Sequence, residues 1–360
     1  MPSTLMSRHL LGPAQRAMGL WFSRRYVDGE RYACYNQTAD EERRKTAAER
    51  RTGFDWLLFQ VMLSDQARID AYRRDIAATV PGKRVLEVGP GPAAVLSRLC
   101  LDAGAASVLS VEGDPWVAEH AERCLLRERR HARRWQVIPK LSTDLAVDDV
   151  DGDPHFGALV LEAYDTIASQ EHVVETVTDL RQRGFTFDAV ISRGFETWVG
   201  PTSAPPAKPL TRAERVLLGW GAGSAHRVEG QLRQRRSTLH GDLGLIEGLR
   251  LAPPKAWQTA DFETTEPAHT EPVLSFDLSD PGRYGGFVFH NRFLFRTGVL
   301  DTSTTSTHWG VYFTPLPLPP EAISEAGGVT LRTSVSDPSR PSTFALQAEA
   351  AGTTSAPQSF

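Results

Sequence analysis

The chain has 360 residues, 41% of them hydrophobic, and a formal net charge of -4, which allows about two domains with buried cores and gives no overall basic footprint for nucleic acid. Three cysteines, Cys34, Cys100 and Cys124, form an odd set without metal-ligand spacing, which argues against a metal site and suits a reducing cytoplasm. No apolar run reaches the length of a membrane span, so a soluble cytoplasmic protein without a membrane partner is expected.

Residues 1–53 read as an N-terminal helical segment. Residues 1–25 are basic and free of acids, as a targeting helix would also be, and TADEERRKTAAERRT (38–52) is a charged helical face. The amphipathic stretch from Phe54 follows, with Ser64 or Asp65 able to cap a helix running to Ala78 before Pro81-Gly82 breaks it. Residues 85–112, VLEVGPGPAAVLSRLCLDAGAASVLSVE, then read as strand, glycine turn, helix and second strand ending on Glu112. Further strand-like segments at 135–141, 157–163 and 187–194 complete an α/β alternation. It implies an open, mostly parallel, Rossmann-like sheet over 54–197. The basic run RERRHARR (127–134) reads as a solvated helix end and loop.

The pattern changes beyond the proline-rich PTSAPPAKP (201–209). A helical passage at about 210–250, with VLLGW (216–220) as its apolar face, precedes aromatic alternation in FVFHNRFLFRTGVL and THWGVYFTPLPLPP. This predicts an antiparallel β domain over 198–345 and a flexible tail over 346–360.

Gly89 and Gly91 permit a tight turn and close backbone approach of a ligand to a helix N-terminus, and Glu112 stands where a ribose would sit. With Ala94 they also satisfy a dinucleotide fingerprint. Glu87, two residues before Gly89, would repel a pyrophosphate and suits a ligand carrying ammonium and sulfonium, which favours S-adenosylmethionine. Farther on, GALVLEA runs into YDTIASQE, placing Glu162 at the carboxyl end of the sheet and Glu171 nine positions later. Two carboxylates near a sulfonium call for a cation, and a planar guanidinium is the natural match. The plainer alternative has Glu162 capping a turn and Glu171 facing water.

The pattern resembles the protein arginine methyltransferase family over roughly residues 54–318. MLSDQARIDAY (62–72), the VLEVGPG turn, the SVE strand end, the paired glutamates and Thr307-His308-Trp309 follow that family's order. The resemblance implies S-adenosylmethionine as cofactor, bound by Arg68, Glu87, Gly89, Gly91, Glu112 and Thr143. It implies Glu162, Glu171 and His308 as catalytic groups, Tyr164 and Trp309 at the substrate, a β-barrel and a homodimer formed through a helical arm. IPKLSTDLAV (138–147) and LEAYDTIASQE (161–171) are most similar to the monomethylating branch. Pro92-Ala93 departs from the usual Thr-Gly, and the N-terminal aromatic motif is unclear, although Phe54, Trp56 and Phe59 could substitute. The chain also holds one module where animal members of that branch have two. An Ala-, Arg- and Pro-rich composition fits a high-GC bacterium, and Arg193, beside the site strand, could pair with a substrate carboxylate. Free L-arginine or a small arginine-derived metabolite is therefore favoured over peptidyl arginine. A non-catalytic scaffold, or methylation at oxygen or another nitrogen, would fit the glutamate pair less well.

Overall fold

The computed structural model describes residues 62–126, 131, 133–205, 238–239, 243–264, 267–335, 337 and 342–359. The expected N-terminal segment, the aromatics Phe54, Trp56 and Phe59, the VLLGW face and most of both the basic run and the helical arm lie outside these residues. The chain divides into two compact units. The first takes the described residues up to Ala163, with Thr176–Gly194 and Phe295–Gly298; the second takes Tyr164–Glu175, Phe195–Leu294 and Val299 onward. The division is thus not the single cut near residue 197 that the composition suggests, because the segment bearing Glu171 belongs with the β domain.

In the first unit, β1 (Arg84–Val88), β2 (Ser107–Val111), β3 (Trp135–Ile138), β5 (Ala158–Leu161) and β7 (Val190–Ile191) form one sheet in the order β3-β2-β1-β5-β7. Every neighbouring pair in it is parallel. Two-residue strands β4 (His155–Phe156) and β6 (Thr186–Phe187) pair separately. All four residues of β5 are buried, as expected of a central strand covered on both faces, and this explains its unbroken ALVL run. The chain leaves β1 toward β2 and returns on the other side at β5, so a topological switch point opens between their carboxyl ends.

Among the described residues, three helices with defined bounds lie wholly within this unit. Helix α1 (Gln66–Thr79) is capped by Asp65, whose side chain accepts from Arg68 N at 2.9 Å. It holds itself to β5 through Tyr72, whose hydroxyl donates to Leu161 O at 3.0 Å. Helix α2 (Val95–Asp102) starts directly after the glycine turn, and α3 (Pro115–Leu126) has Pro115 at its first position behind Asp114, which accepts from Trp116 N. Cys100 is a free buried thiol. Helix α4 (Val173–Gln182) begins in the second unit and continues into the first. Among the described residues no helix is long and apolar enough to cross a membrane.

In the second unit, β8 (Gly194–Ser203, entering from the first unit), β9 (Thr238–Leu239), β10 (Lys255–Asp261), β11 (His269–Thr270), β13 (Tyr284–Phe295), β14 (Gly298–Asp301) and β15 (Val311–Thr314) make one sheet. A second sheet contains β12 (Val273–Asp277), β16 (Gly328–Val335), β17 (Phe344–Ala350), β18 (Thr353–Thr354) and β19 (Gln358–Ser359). Helices α5 (Leu243–Leu249) and α6 (Pro320–Ala326) complete the unit. The expected antiparallel β domain is present, its strands divided between two sheets over one core in which Trp257, Phe287 and Phe289 from the first meet Phe276, Leu331 and Leu346 from the second. One expectation fails here. Residues 346–359 do not trail off, because β17 alternates buried and half-buried residues and β18 and β19 pair back onto it.

Candidate active site

At the carboxyl ends of β1, β2 and β5 the first unit holds a cavity of about 350 Å³ lined by Arg68, Gly89, Gly91, Glu112, Asp114 and Glu162 among others. The volume lies in the range of small-molecule sites. Gly89 and Gly91 adopt φ of 71° and 64°, a left-handed backbone that glycine enters without strain, and Gly89 N donates to Val111 O at 2.9 Å. Ala94 follows at φ 45° and α2 begins, so the helix N-terminus faces the turn.

Glu112 leaves β2 and bends back toward this turn, accepting from Asp114 N at 3.1 Å. Burial raises its carboxyl above the ordinary value, opposed by backbone hydrogen bonds from Asp114, Gly91 and Gly113. Opposite, Arg68 Nη1 stands 2.9 Å from Glu162 Oε2, and Arg68 Nη2 donates to Met62 O at 3.0 Å. Both side chains of this pair are less than a tenth exposed. Five expected residues, Arg68, Gly89, Gly91, Glu112 and Glu162, therefore meet at one cavity.

Glu87 does not join them. Its carboxylate turns away from the cavity lining into the sheet, accepting from Ser97 of α2 and from Ser110 of β2 at 2.8 Å. Burial pushes it up to about 7, against those two hydrogen bonds. The strand is covered on both faces, so a side chain so close to the turn can still point behind it. Thr143 is exposed on a 3-10 turn, Ser142–Asp144, outside the cavity lining. Arg183 accounts for that turn's position, donating to the carbonyls of Ser142 and Leu145. Arg193 is half-buried two residues past β7, at the carboxyl end of the sheet but not in the lining.

The second unit carries the rest. Glu171 is exposed at the end of a 3-10 turn, Ala168–Glu171, and His172 follows in a left-handed conformation at φ 61°. Trp309, 2% exposed, donates from Nε1 to Tyr164 O at 2.7 Å, and its ring lies 4.4 Å from that of His308. Tyr164 is equally buried, with its ring against Phe293 and Phe195. This corrects the expectation of Tyr164 and Trp309 as substrate walls, because their rings fill an aromatic cluster that supports the glutamate-bearing segment. Asp114 was missed, although Asp-Pro ahead of an amphipathic run is a helix-start signal. So was Asn291, a polar residue in the core-facing phase of a strand otherwise occupied there by Phe287, Phe289 and Phe293.

No protein-family model and no curated protein matches the sequence. Solved structures do share its fold. The crystal structure of PRMT6 with SAH is similar over 82% of this chain and 100% of its own, at a TM-score of 0.57 and 17% identity. The Trypanosoma brucei PRMT1 enzyme-prozyme heterotetrameric complex with AdoHcy covers 85% and 98%, again at 0.57 and 17%. An open conformation of Arabidopsis thaliana protein arginine methyltransferase 10 covers 84% and 95%, at 0.54 and 18%. At such identities the likeness is one of fold.

Proposed function

We propose that this protein is an S-adenosylmethionine-dependent methyltransferase that acts on a guanidino nitrogen of arginine, favouring free L-arginine or a small arginine derivative and transferring one methyl. The observation that carries this reading is the cavity at the switch point, where a glycine turn, the Glu112 carboxylate past β2 and a buried Arg-Glu pair line one space of about 350 Å³. Its donor set suits the cofactor: Glu112 for ribose hydroxyls, Arg68 for an amino-acid carboxylate, and the backbone of Gly89 and Gly91 for close approach. Similar folds solved with SAH and with AdoHcy lend support. Bound there, S-adenosylmethionine supplies an electrophilic methyl group.

The chemical difficulty lies with the acceptor, because a guanidinium has a pKa above about 12 and no free lone pair. In this reading Glu162 and Glu171 each accept hydrogen bonds from guanidinium nitrogens, concentrating positive charge away from the reactive nitrogen and fixing its direction. Arg68 offsets part of the Glu162 charge. Glu171, exposed to water, takes the departing proton and releases it to solvent. His308 holds the substrate side, and Arg193 pairs with the carboxylate of a free amino acid. The aromatic-Asp-Thr sequence after Glu162 supports a single transfer, and a homodimer remains part of the proposal.

Mass spectrometry of reactions containing S-adenosylmethionine and either L-arginine or an arginine-rich peptide tests the reading. A gain of one methyl on L-arginine is expected. Modification of the peptide alone would favour peptidyl arginine, the substrate class in the name of the similar Arabidopsis thaliana protein arginine methyltransferase 10. Neither product, despite SAH binding, would reject arginine as the acceptor.

A further inference from the structure

Within the second unit, the segment from Tyr164 to Glu171 has little regular structure of its own before its closing 3-10 turn. Three of its backbone polar groups are instead satisfied from β13. Asn291 is fully buried there, and both ends of its amide are committed. The Nδ2 group donates to Thr166 O at 2.9 Å and to Asp165 O at 3.3 Å, while Oδ1 accepts from Ala168 N at 3.3 Å and from Thr197 Oγ1 at 2.8 Å. Three of these four bonds thus end on the segment that bears Glu171. The fourth joins the amide to β8, and the two carbonyls and the Ala168 N–H determine its orientation. Asn291 N also donates to Thr302 Oγ1 at 3.0 Å, which fixes its register.

The far end of the segment has its own anchor. His172, adjacent to Glu171, is held in its left-handed conformation with Nδ1 2.9 Å from Ser342 Oγ, and that hydroxyl donates to Glu175 Oε1 at 2.7 Å. A non-glycine residue keeps such a backbone only where its surroundings enforce it.

We infer that Asn291 is a positioning residue for methyl transfer, which fixes the backbone of the Glu171 segment, and that Ser342 is its second anchor. The inference rests on the proposed activity, with Glu171 as an acceptor for the guanidinium. Asn291 touches neither the cavity lining nor, in this scheme, the substrate; it acts through the backbone it holds. A misplacement of about 1 Å in such a group can lower turnover about a hundredfold.

The test uses the full chain carrying Asn291→Asp, Asn291→Leu, Ser342→Ala or Ser342→Thr. Folding is followed by circular dichroism, SAH affinity by calorimetry, and kcat and KM with the acceptor that the wild type methylates. Asn291→Asp keeps the acceptor for Thr197 and Ala168 but loses the donor to two carbonyls, unless its buried carboxyl is protonated. Its kcat should therefore fall about a hundredfold at high pH and recover relative to wild type as pH drops. SAH affinity should stay within about twofold of wild type, because no cavity residue has changed. Ser342→Ala should lower kcat and Ser342→Thr restore it, which keeps the inference open to test even where Asn291→Leu fails to fold. Folded Asn291→Asp with wild-type kcat at every pH, or Ser342→Ala and Ser342→Thr with equal kcat, overturns the inference alone. A wild type that methylates no guanidino acceptor overturns the proposed function and the inference with it.

Discussion

Glu87 shows how far a residue's chemistry depends on the face it meets. Its carboxyl, 1% exposed, sits near 7 in the folded protein against an ordinary value of 4.5, raised by burial. Between those values the native state holds a proton that the unfolded chain has released, so stability falls as pH rises through this window. The loss amounts to about 3 kcal/mol by pH 8. Glu87→Gln removes the titration, and its urea midpoint should change less than that of wild type between pH 5 and 8, which parallel denaturation curves check. The two proposed catalytic glutamates should separate by the same logic. Glu162 faces buried Arg68 at 2.9 Å, so Glu162→Gln strands a charge and should cost about 3 kcal/mol or more as well as activity. Glu171 is exposed, and Glu171→Gln should abolish turnover with unchanged SAH affinity and thermal midpoint. Retained turnover in Glu171→Gln would sink the clamp.

At the scale of elements, much was legible because local chemistry and burial agree. Asp65 precedes α1 and caps it, Pro81-Gly82 ends that helix, and two glycines sit where the turn needs a left-handed backbone. What escaped was direction. Glu87 lies in a strand buried on both faces, where alternation carries no information about which side meets ligand. The aromatic segment around Tyr164 reads equally well as a pocket wall or as packing, and only its contacts decide. Composition also misled at the C-terminus, where an Ala-, Ser- and Thr-rich stretch has low hydrophobicity yet finishes a sheet. Ser355 and Ala348 exchange two bonds there, Ala348 N to Ser355 Oγ at 3.0 Å and Ser355 N to Ala348 O at 2.8 Å, over the fully buried Leu346 and Ala348 of β17. Truncation after Gly352 removes both, a loss of about 2 kcal/mol from these bonds alone. Calorimetry of the truncated chain should record a lower midpoint, whereas an unchanged one would restore the loose tail.

For the molecule as a whole, sequence composition marks where β structure takes over but not how the chain shares residues between its units. The first unit is closed by Phe295–Gly298, which comes from beyond most of the β domain's strands. That segment answers a specific need in α1. Asp75 is fully buried, its carboxyl raised above the ordinary value by burial and drawn back by the Thr297 N–H and the Arg296 charge. Thr297 N reaches Asp75 Oδ1 at 3.0 Å, and the Phe295 ring meets Tyr72 edge-on at 5.1 Å. A fragment ending at residue 197, the boundary that composition suggests, would contain every cavity-lining residue and still lack these partners. Without them a buried carboxylate loses its donor and a core tyrosine loses its neighbour, together costing about 3 kcal/mol or more. The fragment 54–197 should therefore unfold at lower urea than the corresponding transition of the full chain and bind SAH more weakly. Asp75→Asn should stabilise that fragment by removing the unsupported charge. If the fragment instead matched the full chain in SAH affinity and unfolded cooperatively at the same urea concentration, the closing segment would be dispensable, and the cavity would depend only on the residues that line it.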